Sequence, residues 1–173
     1  MAESGTVATF LPGVTLHLCE MTPRFADGAL ADAEKPFMPL AVRRAIDAGV
    51  TVALSTDYNP GSCPTQSMQM VMALAARLFR LGYAEIWNMC TLNAARSLDL
   101  AADRGSLAAG KRADVVVWNV PAHGMAINRF GVNLVDTVIA NGEIVVERGR
   151  LKAGRTKRAR RVPAVRPRAV TRA

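Results

Sequence analysis

Two short apolar, β-prone runs with one helix-forming stretch between them constrain this chain more than any other feature. Thr6-Val7-Ala8-Thr9-Phe10-Leu11 is stopped by Pro12-Gly13, and Val50-Thr51-Val52-Ala53-Leu54 ends in a polar loop. Runs of this kind read as buried strands. Between them lies a loop with Pro23, Gly28 and Pro36, and then a helix in which Pro39 suits the first turn. Leu40, Val42, Ala45 and Ile46 give that helix its apolar side, and Gly49 is its expected C-terminal stop. Strand, helix and second buried strand make a βαβ unit, which implies a parallel sheet with helices on its faces.

The chain has 173 residues. A closed (β/α)8 barrel needs about 250, and roughly 200 at the least, so a complete one is not expected. Half of the residues are apolar, which argues against disorder as a whole. No apolar run reaches the ~18–20 residues of a membrane span. The N-terminus has no basic region followed by an apolar stretch, so no signal peptide is expected. Cys19, Cys63 and Cys90 are odd in number and lack C-x-x-C spacing. Neither a disulfide framework nor a thiolate zinc site is indicated, and a reducing cytoplasm fits best.

The net charge of +8 is unevenly spread. Residues 148–173 hold 11 of the 22 Lys and Arg and no acidic residue, so residues 1–147 are mildly acidic. Arg155, Lys157, Arg158, Arg160 and Arg161 form a dense cluster that would attract phosphates non-specifically. No aromatic residue is interleaved for base stacking, so a solvated, disordered basic tail is the expectation and nucleic acid is not an expected partner.

Residues 66–81 form the clearest helix, with Met68, Val71, Met72, Ala75, Leu78 and Phe79 at helical spacing. Its methionines read as core filler rather than a cofactor box. Two shorter helices follow, at about 84–89 and 93–98. After Gly105 the pattern turns to strands: 114–118, then Val135–Ala140 and Glu143–Glu147 around the hairpin signal Asn141-Gly142. Three segments result: 1–104, a β-rich 105–147, and the tail 148–173.

The sharpest local signal is Ser55-Thr56-Asp57-Tyr58-Asn59-Pro60-Gly61-Ser62, directly after the second strand. Loops beyond strand C-termini build the active sites of parallel α/β folds. Asp57 there is a metal ligand, a general base, or an anchor for its own loop. Gly61 lets a ligand approach the backbone closely, and Ser62 offers a hydroxyl and an N–H.

The run Thr56-Asp57-Tyr58-Asn59-Pro60-Gly61-Ser62 is similar to the T-D-x-N-P-G-[ST] signature of imidazolonepropionases, members of the amidohydrolase superfamily. Ser4-Gly5-Thr6-Val7-Ala8 with Leu11-Pro12-Gly13 resembles that family's penultimate barrel strand. Thr91-x-Asn93-Ala94-Ala95 and Gly105-Ser106-Leu107-x-x-Gly110-Lys111-x-Ala113-Asp114 resemble motifs shared across amidohydrolases. Arg129-Phe130-Gly131-Val132-Asn133 and Asn141-Gly142 also fit, and the resemblance covers about residues 1–147. It implies an α/β fold: strands seven and eight of a metal-dependent (β/α)8 amidohydrolase barrel within 1–104, a small β-sandwich segment in 105–147, and the C-terminal portion of the enzyme only.

By the same resemblance Asp57 is the strand-eight ligand of a Zn or Fe ion. Asn59, Gly61 and Ser62 contact the small-molecule substrate, 4-imidazolone-5-propanoate, whose cyclic amide is hydrolysed to N-formimidoyl-L-glutamate in histidine degradation. No catalytic residue beyond that metal ligand is implied. The family's other ligands are a His-x-His on strand one and histidines on strands five and six, with a catalytic Glu nearby. The histidines of this chain are His17 and His123. His123 is expected in a solvated loop, and His17-x-Cys19-Glu20 is the weak alternative metal cluster. The expectation is therefore an inactive fragment that either self-associates or meets a complementary barrel fragment, arising as a truncated product or as half of a split enzyme. The competing readings are a deaminase-like amidohydrolase acting on a cyclic amidine and a non-enzymatic remnant with an anion-binding tail.

Overall fold

A computed structural model describes residues 1–18, 25–26, 29–30 and 38–152 of the chain. The βαβ unit is present: β1 (Ala8–Phe10) lies parallel to β4 (Val52–Leu54) in register Ala8↔Val52, with α2 (Met38–Asp47) between them in sequence. Two short antiparallel strands, β2 (Phe25–Ala26) and β3 (Ala29–Leu30), pair with each other. All three residues of β4 are buried, as a continuous apolar run requires.

The ladder also shows which edge of β4 is free. Ala8 N donates to Thr51 O at 2.9 Å, and Ser55 N donates to Phe10 O at 3.1 Å. Main-chain groups alternate in direction along a parallel strand. Val52 and Leu54 therefore turn their N–H and C=O away from β1. Among the described residues neither β1 nor β4 has a second strand partner. Asn93 covers part of that edge, its Nδ2 donating to Val52 O at 2.8 Å.

Pro12-Gly13 does more than stop β1. Pro12 opens α1 (Pro12–His17), where its missing N–H costs nothing. A Cβ on Gly13 would lie 2.5 Å from Cys63 Sγ, so only glycine lets α1 sit this close to the loop after β4. The sequence pattern did not anticipate this helix.

The long helix is α3 (Met68–Leu78), capped by Ser67, whose side chain accepts the Met70 N–H. Its periodic face is the core: Val71, Met72 and Ala75 are buried with Val52, Leu54 and Ile86. Phe79 meets Phe10 of β1 edge to face at 6.4 Å. Then come α4 (Tyr83–Cys90) and α5 (Leu92–Ser97). Glu85 on α4 accepts the Gly82 N–H at 2.8 Å and takes a two-pronged bond from Arg43 of α2 at 2.9 and 3.1 Å. That guanidinium holds the Glu85 carboxyl below the usual carboxylate range, against the opposing effect of burial.

The C-terminal strands form one antiparallel sheet in the order β5 (Val115–Trp118), β6 (Val135–Ala140), β7 (Glu143–Glu147), β8 (Arg150–Leu151). Asn141 and Gly142 have φ of +53° and +81°, as a two-residue hairpin turn of the primed type demands. The sheet runs past residue 147, where the tail was expected to begin, because β8 pairs with β7. Residues 153–173, with the rest of the tail reading, lie outside the described residues.

His123, expected in a solvated loop, is instead the exposed first residue of helix α6 (His123–Asn128). The helix buries Ala126 and Ile127, and Ile127 packs into the core shared by β4, α3 and α4. Trp87 of α4 meets Trp118 of β5 at 5.7 Å. Segment 105–152 thus shares one core with the βαβ part.

Candidate functional site

Ser55 to Ser62 continue directly from the C-terminal end of β4. Asn59 makes most of the loop's side-chain hydrogen bonds, while Ser55 Oγ accepts the Asp57 N–H at 3.5 Å and Thr56 Oγ1 accepts the Tyr58 N–H at 3.3 Å. Asn59 Oδ1 accepts the N–H groups of Gly61 and Ser62 at 2.9 and 2.8 Å, and its Nδ2 donates to the Asp57 carbonyl at 2.6 Å. Ser62 Oγ lies 3.0 Å from Nδ2. Asn59 N also donates to Cys63 O at 3.0 Å, closing the loop at its base. Asn, Pro, Gly and Ser fold this way because a short amide side chain can mimic a backbone turn.

Asp57 is exposed and has φ +48°, an uncommon conformation for a residue with a Cβ. Its carboxylate has no hydrogen bond or ion pair among the described residues. Of the three roles open to Asp57, anchoring its own loop by the side chain is thus not what the structure shows. Gly61 has no positive φ, and an added Cβ would meet nothing closer than Asn59 Oδ1 at 3.4 Å. The turn itself does not demand glycine there.

The structure brings Asp57, Asn59, Gly61 and Ser62 together on one loop. His17 ends α1 and is exposed, while Cys19 and Glu20 lie outside the described residues. His123 stands on α6. Neither described cysteine is poised for chemistry: Cys63 is fully buried, and burial pushes the Cys90 thiol up to about 12. Tyr58, which sequence reasoning passed over, holds its ring 61% exposed next to Asp57. Its only signal was its place at the open position of the signature. A cleft of about 620 Å³ between the start of α3 and the β5–β6 face, bordered by Met68, Trp118 and Val132, includes no residue of the 55–62 loop.

A profile of the amidohydrolase family matches residues 39–145. The chain belongs to the amidohydrolase family. Among proteins similar to this amidohydrolase chain is the imidazolonepropionase of Alkaliphilus metalliredigens (strain QYMF). It is 39% identical over 151 residues, which cover 87% of this chain and 32% of that protein. The imidazolonepropionase of Bacillus velezensis is 39% identical over 148 residues, covering 86% and 31% respectively. The chain spans about a third of the length of the curated relatives it matches.

Solved amidohydrolase-like structures agree on the fold. An adenosine deaminase from Xanthomonas campestris with bound zinc superposes with a TM-score of 0.69 at 24% identity, over 88% of this chain and 34% of that one. An atrazine chlorohydrolase from Arthrobacter aurescens TC1 complexed with zinc gives 0.62 at 25%, over 87% and 33%. The mixed α/β arrangement is therefore that of a partial amidohydrolase barrel.

Zinc in those structures raises the question of whether the present residues could hold a metal. A catalytic zinc site uses three protein ligands and a water. Among the described residues no three His, Cys, Asp or Glu side chains come together. Asp57 is one free carboxylate on an open loop. By itself this donor set does not fit a metal ion.

Proposed function

We propose that the chain supplies strands seven and eight, and the β-sandwich segment, of an imidazolonepropionase barrel that opens the cyclic amide of 4-imidazolone-5-propanoate to N-formimidoyl-L-glutamate. In this reading β1 is strand seven, β4 is strand eight, and Asp57 is the last protein ligand of a Zn or Fe ion. Asn59, Gly61 and Ser62 border the substrate. One observation supports the reading: among the described residues the Asp57 carboxylate has no partner, and it follows the C-terminal end of a buried parallel strand on a loop tied together largely by its own asparagine. A carboxylate placed there, on the side of the fold where barrel chemistry is built, is available to a ligand outside the loop.

The remaining ligands have to come from further polypeptide, whether continuous with this chain or separate from it. The free edges of β1 and β4 are where its strands would pair. Alone, the chain is inactive and self-associates through those edges. The unpaired thiols and the acidic 1–147 segment suit a cytoplasmic enzyme. Deaminase-like chemistry on a cyclic amidine is the second reading, favoured only by fold neighbours such as the adenosine deaminase. The signature around Asp57 and the higher identity to imidazolonepropionases favour the first.

The test is hydrolysis of 4-imidazolone-5-propanoate by the purified chain, alone and after mixing with a barrel segment supplying strands one to six. Activity is expected only in the mixture, and Asp57→Ala removes it. Turnover by the chain alone, or a mixture indifferent to Asp57→Ala, overturns the proposal. A cyclic amidine turned over in preference to the imidazolone selects the second reading.

A further inference from the structure

Both polar atoms of the Asn59 side chain are engaged within its own loop. An amide offers one oxygen with two lone pairs and one NH2 with two donors. The oxygen takes the Gly61 and Ser62 N–H groups at 2.9 and 2.8 Å. The NH2 reaches Asp57 O at 2.6 Å and Ser62 Oγ at 3.0 Å. The bond to Asp57 falls on the one residue of the loop with a left-handed backbone, φ +48°. Asp residues in this conformation often hold it with their own side chain. Asp57 makes no such bond: Asn59 holds its C=O at 2.6 Å, the longer contact of its N–H to Ser55 Oγ is 3.5 Å, and its carboxylate has no partner among the described residues.

We propose that Asn59 is also a positioning residue: its Nδ2 holds Asp57 in the left-handed conformation and so fixes where the free carboxylate points. The importance of that direction rests on the reading of Asp57 given above, but the hydrogen bonds do not. The two arms of the amide separate cleanly by substitution. Asn59→Asp keeps an acceptor for Gly61 and Ser62, yet sets an oxygen against the Asp57 carbonyl. Asn59→Ala removes both arms.

The experiment uses the isotope-labelled 173-residue chain without metal or substrate. It reads amide exchange at Gly61 and Ser62, and the Asp57 carbon shifts that report the sign of φ. Asn59→Ala is expected to speed exchange at Gly61 and Ser62 about tenfold and to move the Asp57 shifts off their left-handed values. Asn59→Asp is expected to leave both amides protected and still move Asp57. The Ala8 amide, bonded to Thr51 O in the β1–β4 ladder, reports that the fold is intact. Asp57 shifts unchanged in Asn59→Asp overturn the proposal.

If the variants lose the ladder, the unfolding midpoint decides instead. Glycine adopts positive φ freely, so in an Asp57→Gly background Asn59→Ala should cost clearly less than in the native one. Equal losses in the two backgrounds overturn the proposal. Because neither measurement involves hydrolysis, failure of the enzyme reading and failure of this one are distinguishable.

Discussion

In the block of residues 91–114 Asn93, Lys111 and Asp114 are each hydrogen-bonded to a distant part of the fold, whereas in the loop of residues 55–62 the Asp57 carboxylate has no partner among the described residues. Asn93 donates to Val52 O at 2.8 Å, Lys111 Nζ bridges Ala101 O and Ser106 Oγ at 2.5 and 2.8 Å, and Asp114 accepts the Asn141 N–H at 2.6 Å. Gly105, at φ +88°, lies so close to α5 that a Cβ would meet Ala95 Cβ at 2.6 Å. These are the motifs shared broadly across amidohydrolases, and here they are fastenings. They tie α5 to β4, pin the loop before β5, and hold the hairpin turn onto its neighbour. The loop after β4 spends Asn59 and Ser62 in the same way but leaves Asp57 unspent. Asn93, Lys111 and Asp114 have partners in the fold, and the carboxylate of Asp57, the proposed metal ligand, has none among the described residues.

The largest expected effect tests whether the β-rich segment and the βαβ part are one cooperative body. Ile127 on α6 is fully buried in the core that contains Val52 and Ile86. Ile127→Ala should cost about 2–5 kcal/mol in urea unfolding. The exchange protection of β4 should fall together with that of β6. Loss confined to β6 would break the picture of a shared core. Gly105→Ala comes next, at about 1–3 kcal/mol, from the close approach and the positive φ together. A neutral result would show that the glycine motif is no fastening.

The sequence made the periodic elements legible and left the fastenings obscure. The β6–β7 hairpin is read residue for residue, because alternation and Asn141-Gly142 both act over short range. The face of α3 is legible for the same reason. Helix α1 was hidden because proline reads as a stop for β1 and equally well opens a helix. β8 was hidden because two residues beside arginines resemble the start of a tail. Gly13 against Cys63, and Asn93 against Val52, join residues far apart in sequence, where no local pattern exists to be read. In the candidate site the sequence picks out the loop and its candidate residues but not the hydrogen bonds among them. The left-handed φ of Asp57 and the full use of the Asn59 amide emerge only from the loop's geometry.

A smaller effect concerns the fastening between α2 and α4. Arg43 holds the Glu85 carboxyl below its usual range, so the pair adds stability above the unfolded-state pKa of about 4.3 and loses it as pH falls through the lower folded value. Both side chains are about a third or more exposed, which with salt screening limits the gain to about 0.5–1 kcal/mol. Unfolding midpoints of the native chain and Glu85→Gln should differ at pH 7 and converge below pH ~4. A gap that persists at low pH would assign the stabilisation to the neutral cap on Gly82 rather than to the charge.

The smallest expected change is the most informative about the contrast. Asp57→Asn keeps the shape of the side chain and its tolerance of left-handed φ, and removes only a charge that has no partner in the described structure. The stability of the chain should therefore move by less than about 0.5 kcal/mol, although the same substitution in an assembled barrel should abolish turnover. Were Asp57→Asn to destabilise the isolated chain as much as Gly105→Ala, the carboxylate would be another fastening and the distinction between the two regions would fail. A chain indifferent to the loss of this carboxylate would place its role outside the folding of the chain.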